Sequence, residues 1–232
     1  MSMSSARACP TPSVDENLAK AIEAFRAGDY AQSLAQLRPL AEAGAAEAQA
    51  WLGAHYANGF GVESSLTEAF GWYRRAAEQG NVAAATNVGA MLAMGQGVAQ
   101  DRGEGARWLE QAAAGGDVMA QYNLATMLTK GDGLLADPAR AASLYRSAAE
   151  AGHYPAQARL GHLYANGIGV EKDRIEAFAW LSLAAQHGVG TALNALEAVI
   201  KEMSAEEKRA GMTRAQSRRI GPADARINPI PG

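Results

Sequence analysis

The side chains that could carry chemistry are few and dispersed. Four histidines, His55, His153, His162 and His187, are the natural candidates for proton transfer or metal ligation, yet no H-E-x-x-H or comparable ligand spacing joins them. Cys9 is the single cysteine, so neither an internal disulfide nor a multi-cysteine zinc site can form. It also falls in a stretch expected to be disordered, where a catalytic thiol would lack a fixed His partner. Four Gly-x-Gly strings, Gly59-Phe60-Gly61, Gly95-Gln96-Gly97, Gly131-Asp132-Gly133 and Gly167-Ile168-Gly169, raise the question of phosphate loops. None follows a predicted strand or extends to G-x-G-x-x-G, and the S-x-x-K string of serine acyl-enzymes is missing. The expectation is no catalytic residue, no cofactor and no metal.

The glycine strings belong instead to a repeat. Gly44, Gly80, Gly116, Gly152 and Gly188, each closing an A-A-x-x-G or related string, are spaced 36 residues apart and divide the chain into blocks 45–80, 81–116, 117–152 and 153–188. Position 4 of every block is alanine (Ala48, Ala84, Ala120, Ala156). Position 8 is Leu52, Val88, Leu124 or Leu160; position 9 is Gly53, Gly89, Ala125 or Gly161; position 12 is Tyr56, Leu92, Leu128 or Tyr164. Positions 4, 8 and 12 share one face of a helix, with a small residue beside them that permits a close neighbour. A second helix follows each glycine loop. Ser65 with Glu68, Asp101 with Glu104 and Asp173 with Glu176 fit capping boxes at its start, and Asp137 precedes Pro138. This helix carries Trp72, Trp108, Leu144 and Trp180, a column expected in the core at about 3–5 kcal/mol per truncated ring. The repeat glycine then suits a left-handed C-cap.

Each block is thus a helical hairpin. Stacked hairpins predict an all-α fold without strands, a right-handed α-α superhelix or solenoid of 36-residue helix-turn-helix repeats. The predicted organisation is a disordered segment 1–13, an N-terminal helical hairpin 14–44 with Pro39 kinking its second helix, four repeats over 45–188, a C-terminal capping helix pair 189–219 and a disordered tail 220–232. Ser204 with Glu207 opens the last helix, and the charge runs Glu202–Arg209 and Arg214–Arg219 read as solvated faces of that cap.

Composition narrows the function classes. A net charge of −3 and a pI near 5.8 supply no basic footprint for nucleic acid. No run of eighteen or so apolar residues offers a membrane span. The first residues, MSMSSARACPTPSV, hold no apolar signal-peptide core. A cytoplasmic location is expected for the chain as it stands, and a periplasmic or secreted one if an upstream leader has been removed.

With A-x-x-x-L-G-x-x-Y-x-x-G-x-G-V-x-x-D-x-x-x-A-x-x-W-x-x-x-A-A-x-x-G laid out, the chain resembles the Sel-one-like repeat family, tetratricopeptide relatives with a longer unit. Block 153–188 carries Ala156, Leu160-Gly161, Tyr164, Gly167, Gly169-Val170, Asp173, Ala177, Trp180, Ala184-Ala185 and Gly188. The resemblance implies a non-catalytic adaptor for a protein or peptide partner. Its alternatives are a cell-envelope or secreted assembly component, or a hydrolase of the kind associated with β-lactams in cysteine-rich relatives, whose cysteines this chain lacks. By the same resemblance, positions 3, 6, 10, 13 and 14 of each first helix line a concave groove, with position 7 at its edge. Met94, Met119, Tyr122, Thr126, Lys130, Arg159, His162 and Trp51 are the candidate partner-binding residues; Trp51 has the alternative of packing on the N-terminal hairpin. A monomer or a weak homodimer through the end cap is expected.

Overall fold

The repeated pattern folds as repeated hairpins. A computed structural model describes residues 13–219, which form twelve α-helices and no strand: α1 (Val14–Arg26), α2 (Tyr30–Glu42), α3 (Ala46–Asn58), α4 (Leu66–Glu78), α5 (Val82–Met94), α6 (Arg102–Ala114), α7 (Val118–Lys130), α8 (Pro138–Glu150), α9 (Tyr154–Asn166), α10 (Arg174–Gln186), α11 (Gly190–Glu202) and α12 (Ala205–Arg219). They group into two compact units, α1–α4 through Asn81 and α5–α12 from Val82. Cys9, the segment before Ser13 and the tail from Ile220 lie outside the described residues. Ser13 itself caps α1 in a reciprocal box with Glu16.

Two backbone devices recur. The repeat glycine takes a positive φ, +89° at Gly80, where a side chain would be strained. There the Gly80 N–H donates to the Ala77 carbonyl and the Asn81 N–H to the Ala76 carbonyl, a Schellman closure of α4. In the loop before α4, Gly61 (φ +68°) does more than turn: a Cβ there would lie 2.8 Å from the Tyr30 carbonyl carbon, so the loop can seat on the start of α2 only without a side chain.

The caps differ from the expected boxes. Ser65, Asp101, Asp137 and Asp173 each accept a backbone N–H from the first turn of the following helix. At Ser65, Asp101 and Asp173 the reciprocal half is not made, because the cap's own N–H already donates to the position-12 carbonyl of the preceding helix, at Tyr56, Leu92 and Tyr164; Asp137 donates likewise to Leu128 and has Arg140, not a Glu, three residues on. Where no such carbonyl precedes, at Ser13 and Ser204, both halves form.

The core column also stands one residue from its expected place. Trp72, Trp108 and Leu144 are only half-buried. The next residue in every block, Tyr73, Leu109, Tyr145 or Leu181, is at most 2% exposed. Only Trp180 is both in the expected column and buried. The reason is position 9: a Cβ on Gly53, Gly89 or Gly161 would approach within 2.7 Å of Tyr73, Leu109 or Leu181 respectively. The missing side chain on the first helix is the socket for the residue at position 29 of the second. Position 5 adds a polar stitch, with Gln49 and Gln157 each donating Nε2–H to the carbonyl eight residues earlier, at Ala41 and Ala149.

In the first unit, α2 continues through Pro39 to Glu42. Phe25, Tyr30, Trp51, His55 and Phe60 form an aromatic knot, with Phe25 edge-on to Trp51 at 5.0 Å and Tyr30 stacked on Phe60 at 4.6 Å. In the second unit each helix from α5 to α10 packs on the next. The last helix departs from the repeat: α12 packs on α10 rather than pairing with α11, so the two C-terminal helices do not form a hairpin with one another. Its arginines are not all solvated, as the charge pattern had suggested. Arg214 and Arg218 both bind the Glu176 carboxylate, the latter at 2.6 Å.

Candidate protein-interaction surface

The histidines separate into framework and surface. His55 is fully buried, its Nδ1 2.6 Å from the Phe60 carbonyl and its Nε2 3.1 Å from the Ser33 hydroxyl. Both ring nitrogens are satisfied when Nδ1–H donates and Nε2 accepts, which is the neutral imidazole, and burial holds its pKa below the ordinary value. His153 is also pushed down by burial; its Nδ1 accepts from the Ala156 N–H and caps α9. His187 stacks on Tyr154 at 3.7 Å. His162 is exposed beside Asn166. Among the described residues no group of three or more His, Cys, Asp or Glu side chains could hold a metal, and no helix is long and apolar enough to cross a membrane.

The surface the repeats leave open follows from helix geometry. At about 100° per residue, positions 3, 7, 10 and 14 of a first helix fall within an arc of about 60°, opposite the face that meets the second helices. In the second unit that stripe reads Ala83, Asn87, Ala90 and Met94 on α5, Met119, Asn123, Thr126 and Lys130 on α7, and Pro155, Arg159, His162 and Asn166 on α9; every one of these residues is half-buried or exposed. None is acidic. Met94 and Met119 are 58% and 49% exposed, an unusual presentation for so apolar a side chain.

This arrangement corrects the expected groove at three points. Trp51 is removed from it, being 3% exposed and packed edge-on against Phe25 in the other unit. Position 6 turns inward rather than out: Thr86 and Ala158 are buried. Tyr122, at the same position, is half-buried between Tyr145 at 5.7 Å and His153 at 4.7 Å. Position 7, expected at the edge, stands on the stripe itself. Thr126 is half-committed, since its hydroxyl bonds the Tyr122 carbonyl and the Tyr145 hydroxyl. Met94, Met119, Lys130, Arg159 and His162 remain as freely presented side chains. Asn123, the half-buried residue at position 7 of α7, joins them.

Comparison with known proteins follows the same repeat. The family model described as the Sel1 repeat matches residues 46–81, 82–117, 118–153 and 155–189, more than half of the chain. No curated protein matches the chain. Among solved structures, it is similar to a protective antigen of uropathogenic Escherichia coli with an SLR fold, at 29% identity and a TM-score of 0.78 over 88% of this chain and 47% of that one. This chain therefore spans about half the length of that antigen. A Sel1 repeat protein from Oxalobacter formigenes aligns at 28% identity and a TM-score of 0.75, covering 87% of this chain and 82% of the other. A further such protein, from Klebsiella pneumoniae, shares the fold at 20% identity and a TM-score of 0.53, over 80% and 92% of the two chains.

Proposed function

The chain belongs to the Sel1 repeat family of all-α solenoids, and from that premise we propose that it is a non-catalytic adaptor that holds a protein or peptide segment on the open stripe of α5, α7 and α9. Sel1 repeats generally mediate protein interactions. The observation that supports this site is the stripe at positions 3, 7, 10 and 14, present on three successive first helices of one unit without an acidic residue. It offers thioether side chains at Met94 and Met119, amides at Asn87 and Asn123, and cations at Lys130 and Arg159. Methionines adapt to irregular apolar surfaces, amides bond an extended backbone, and the cations select negative charge. The matching ligand is a segment with apolar anchors followed by acidic residues.

The test is retention from an extract of the source organism, with wild type beside Met94→Asp/Met119→Asp and beside Lys130→Glu/Arg159→Glu. All four positions are exposed, so helicity should match wild type in every variant. A partner retained by wild type and lost by both variants supports the stripe. Equal retention by all three chains removes it. Tyr122 is not used as a probe, because its ring is packed against Tyr145 and His153 and its replacement would disturb the fold.

A further inference from the structure

The end of the stack breaks the pattern of its interior. In each of the four repeats the second helix covers the first, and the residue at position 8, Leu52, Val88, Leu124 or Leu160, is at most 1% exposed. α11 occupies the place of a further first helix, with Ala192, Leu196 and Ile200 at positions 4, 8 and 12. The helix that follows goes elsewhere, since α12 packs on α10. Leu196 and Ile200 are therefore only half-buried, and Leu193 is 51% exposed.

Helix geometry measures the apolar surface left over. At about 100° per residue, Val199, Ala192 and the C-cap Met203 fall within an arc of about 40°, and all three are buried. Leu196, Ile200 and Leu193 continue the apolar arc for about 80° beyond them, uncovered. Glu197 and Lys201, both exposed, border it on the far side. Neither has an ion-pair partner among the described residues, whereas Glu202 is paired with Lys172 and Arg174. Glu197 also stands at position 9, where Gly53, Gly89 and Gly161 leave the socket of the interior hairpins. Its side chain fills that socket, so a helix of the repeat type cannot lie on this face at the interior distance.

We propose that the exposed face of α11 is the contact through which two copies of the chain pair weakly, helix against helix and antiparallel about a two-fold axis beside residues 197–198. Charge selects both the occupant and the direction. A two-fold relation with parallel helices would oppose Glu197 to Glu197 and Lys201 to Lys201, whereas the antiparallel one keeps the charged borders on the same side and exchanges them. At 1.5 Å per residue, Leu193 of one copy then stands within about 5 Å, measured along the helix, of Ile200 of the other, and Glu197 is equally near Lys201. Each apolar row meets an apolar row, and each unpaired charge finds its opposite. A helix of this length is about 20 Å long, so two such faces bury well under the roughly 1,200 Å² of a standard interface; the dimer is weak and forms as concentration rises. It carries two copies of the stripe on α5, α7 and α9, and a partner with two matching segments would be held at both. The pairing itself does not depend on the stripe, and either can fail without the other.

The experiment is sedimentation equilibrium of the full chain from about 5 to about 500 µM, the range in which so small a contact would associate. The weight-average mass should rise from 24.2 kDa towards twice that value. Leu193→Asp should hold it at the monomer mass throughout. Glu197→Lys and Lys201→Glu each oppose like charges at both symmetry-related pairs and should weaken association at least about fivefold, while the double variant Glu197→Lys/Lys201→Glu restores it. All three positions are exposed, so the circular dichroism of every variant should match wild type. A wild-type monomer at every concentration overturns the proposal, and is the result expected if the chain's own residues 220–232 or a different protein cover the face. A dimer that Leu193→Asp leaves intact overturns it, as does a double variant no stronger than the single ones. A mass that climbs past the dimer overturns it in favour of head-to-tail stacking of one end on the other.

Discussion

The socket between position 9 and position 29 can be tested by a sign reversal. Gly53 lies inside α3, and a Cβ added there would sit 2.7–3.0 Å from three atoms of the Tyr73 ring and from no backbone group that close. Replacing Gly by Ala in a helix interior gains about 1 kcal/mol of propensity. Overpacking against a fixed ring costs about 1–3 kcal/mol. Gly53→Ala should therefore be neutral to about 2 kcal/mol destabilising. Tyr73 is 2% exposed, and Tyr73→Ala should cost about 3–5 kcal/mol. In the Tyr73→Ala background the obstacle is gone, so Gly53→Ala should become stabilising by about 1 kcal/mol, a coupling of about 1–3 kcal/mol between the two sites. Trp72 is the internal control: half-buried, with the Arg75 guanidinium 4.5 Å from its ring centre, it should cost only about 1–2 kcal/mol on truncation. Urea unfolding of the five chains, followed by far-ultraviolet circular dichroism, measures all of these. Additivity of the Gly53 and Tyr73 changes within about 0.5 kcal/mol would refute the socket, as would a Trp72→Ala loss equal to that of Tyr73→Ala.

Two further expectations rest on local chemistry. His55 and His153 both have pKa values lowered by burial below the ordinary 6.5, so the unfolded chain takes up protons first as pH falls. Their contribution to stability is fully present above about pH 6.5 and is lost progressively below it; thermal melts between pH 7.5 and 5 should show the decline, and His153→Asn, which keeps a cap acceptor at α9, should lessen it. Gly80→Ala places a side chain at φ +89° in open space and should cost about 1 kcal/mol, whereas Gly61→Ala adds a collision with the Tyr30 backbone and should cost more. Equal midpoints for the two variants in urea would show that conformational strain alone governs both.

The architecture was legible in the residue order, because period is a one-dimensional property. A glycine every 36 residues, alanine at position 4 and a capping residue after each loop dictate where helices start and stop, and thirteen-residue helices between them follow from local chemistry. Faces were legible only in part. The 100° step identified the apolar arc, but a residue at its border, such as Tyr122, or one position either side of a core column, such as Trp72 and Tyr73, is assigned by its neighbour across the interface. That neighbour is the missing Cβ of Gly53, a feature of packing that composition cannot reveal. Likewise, the charge pattern of α12 suggested a solvated helix. Only the tertiary structure brought Glu176 to Arg214 and Arg218, 38 and 42 residues away, and moved the last helix off α11 onto α10. Contacts at such separations depend on where the chain returns in space, and the local periodicity that fixes each hairpin carries no information about that return.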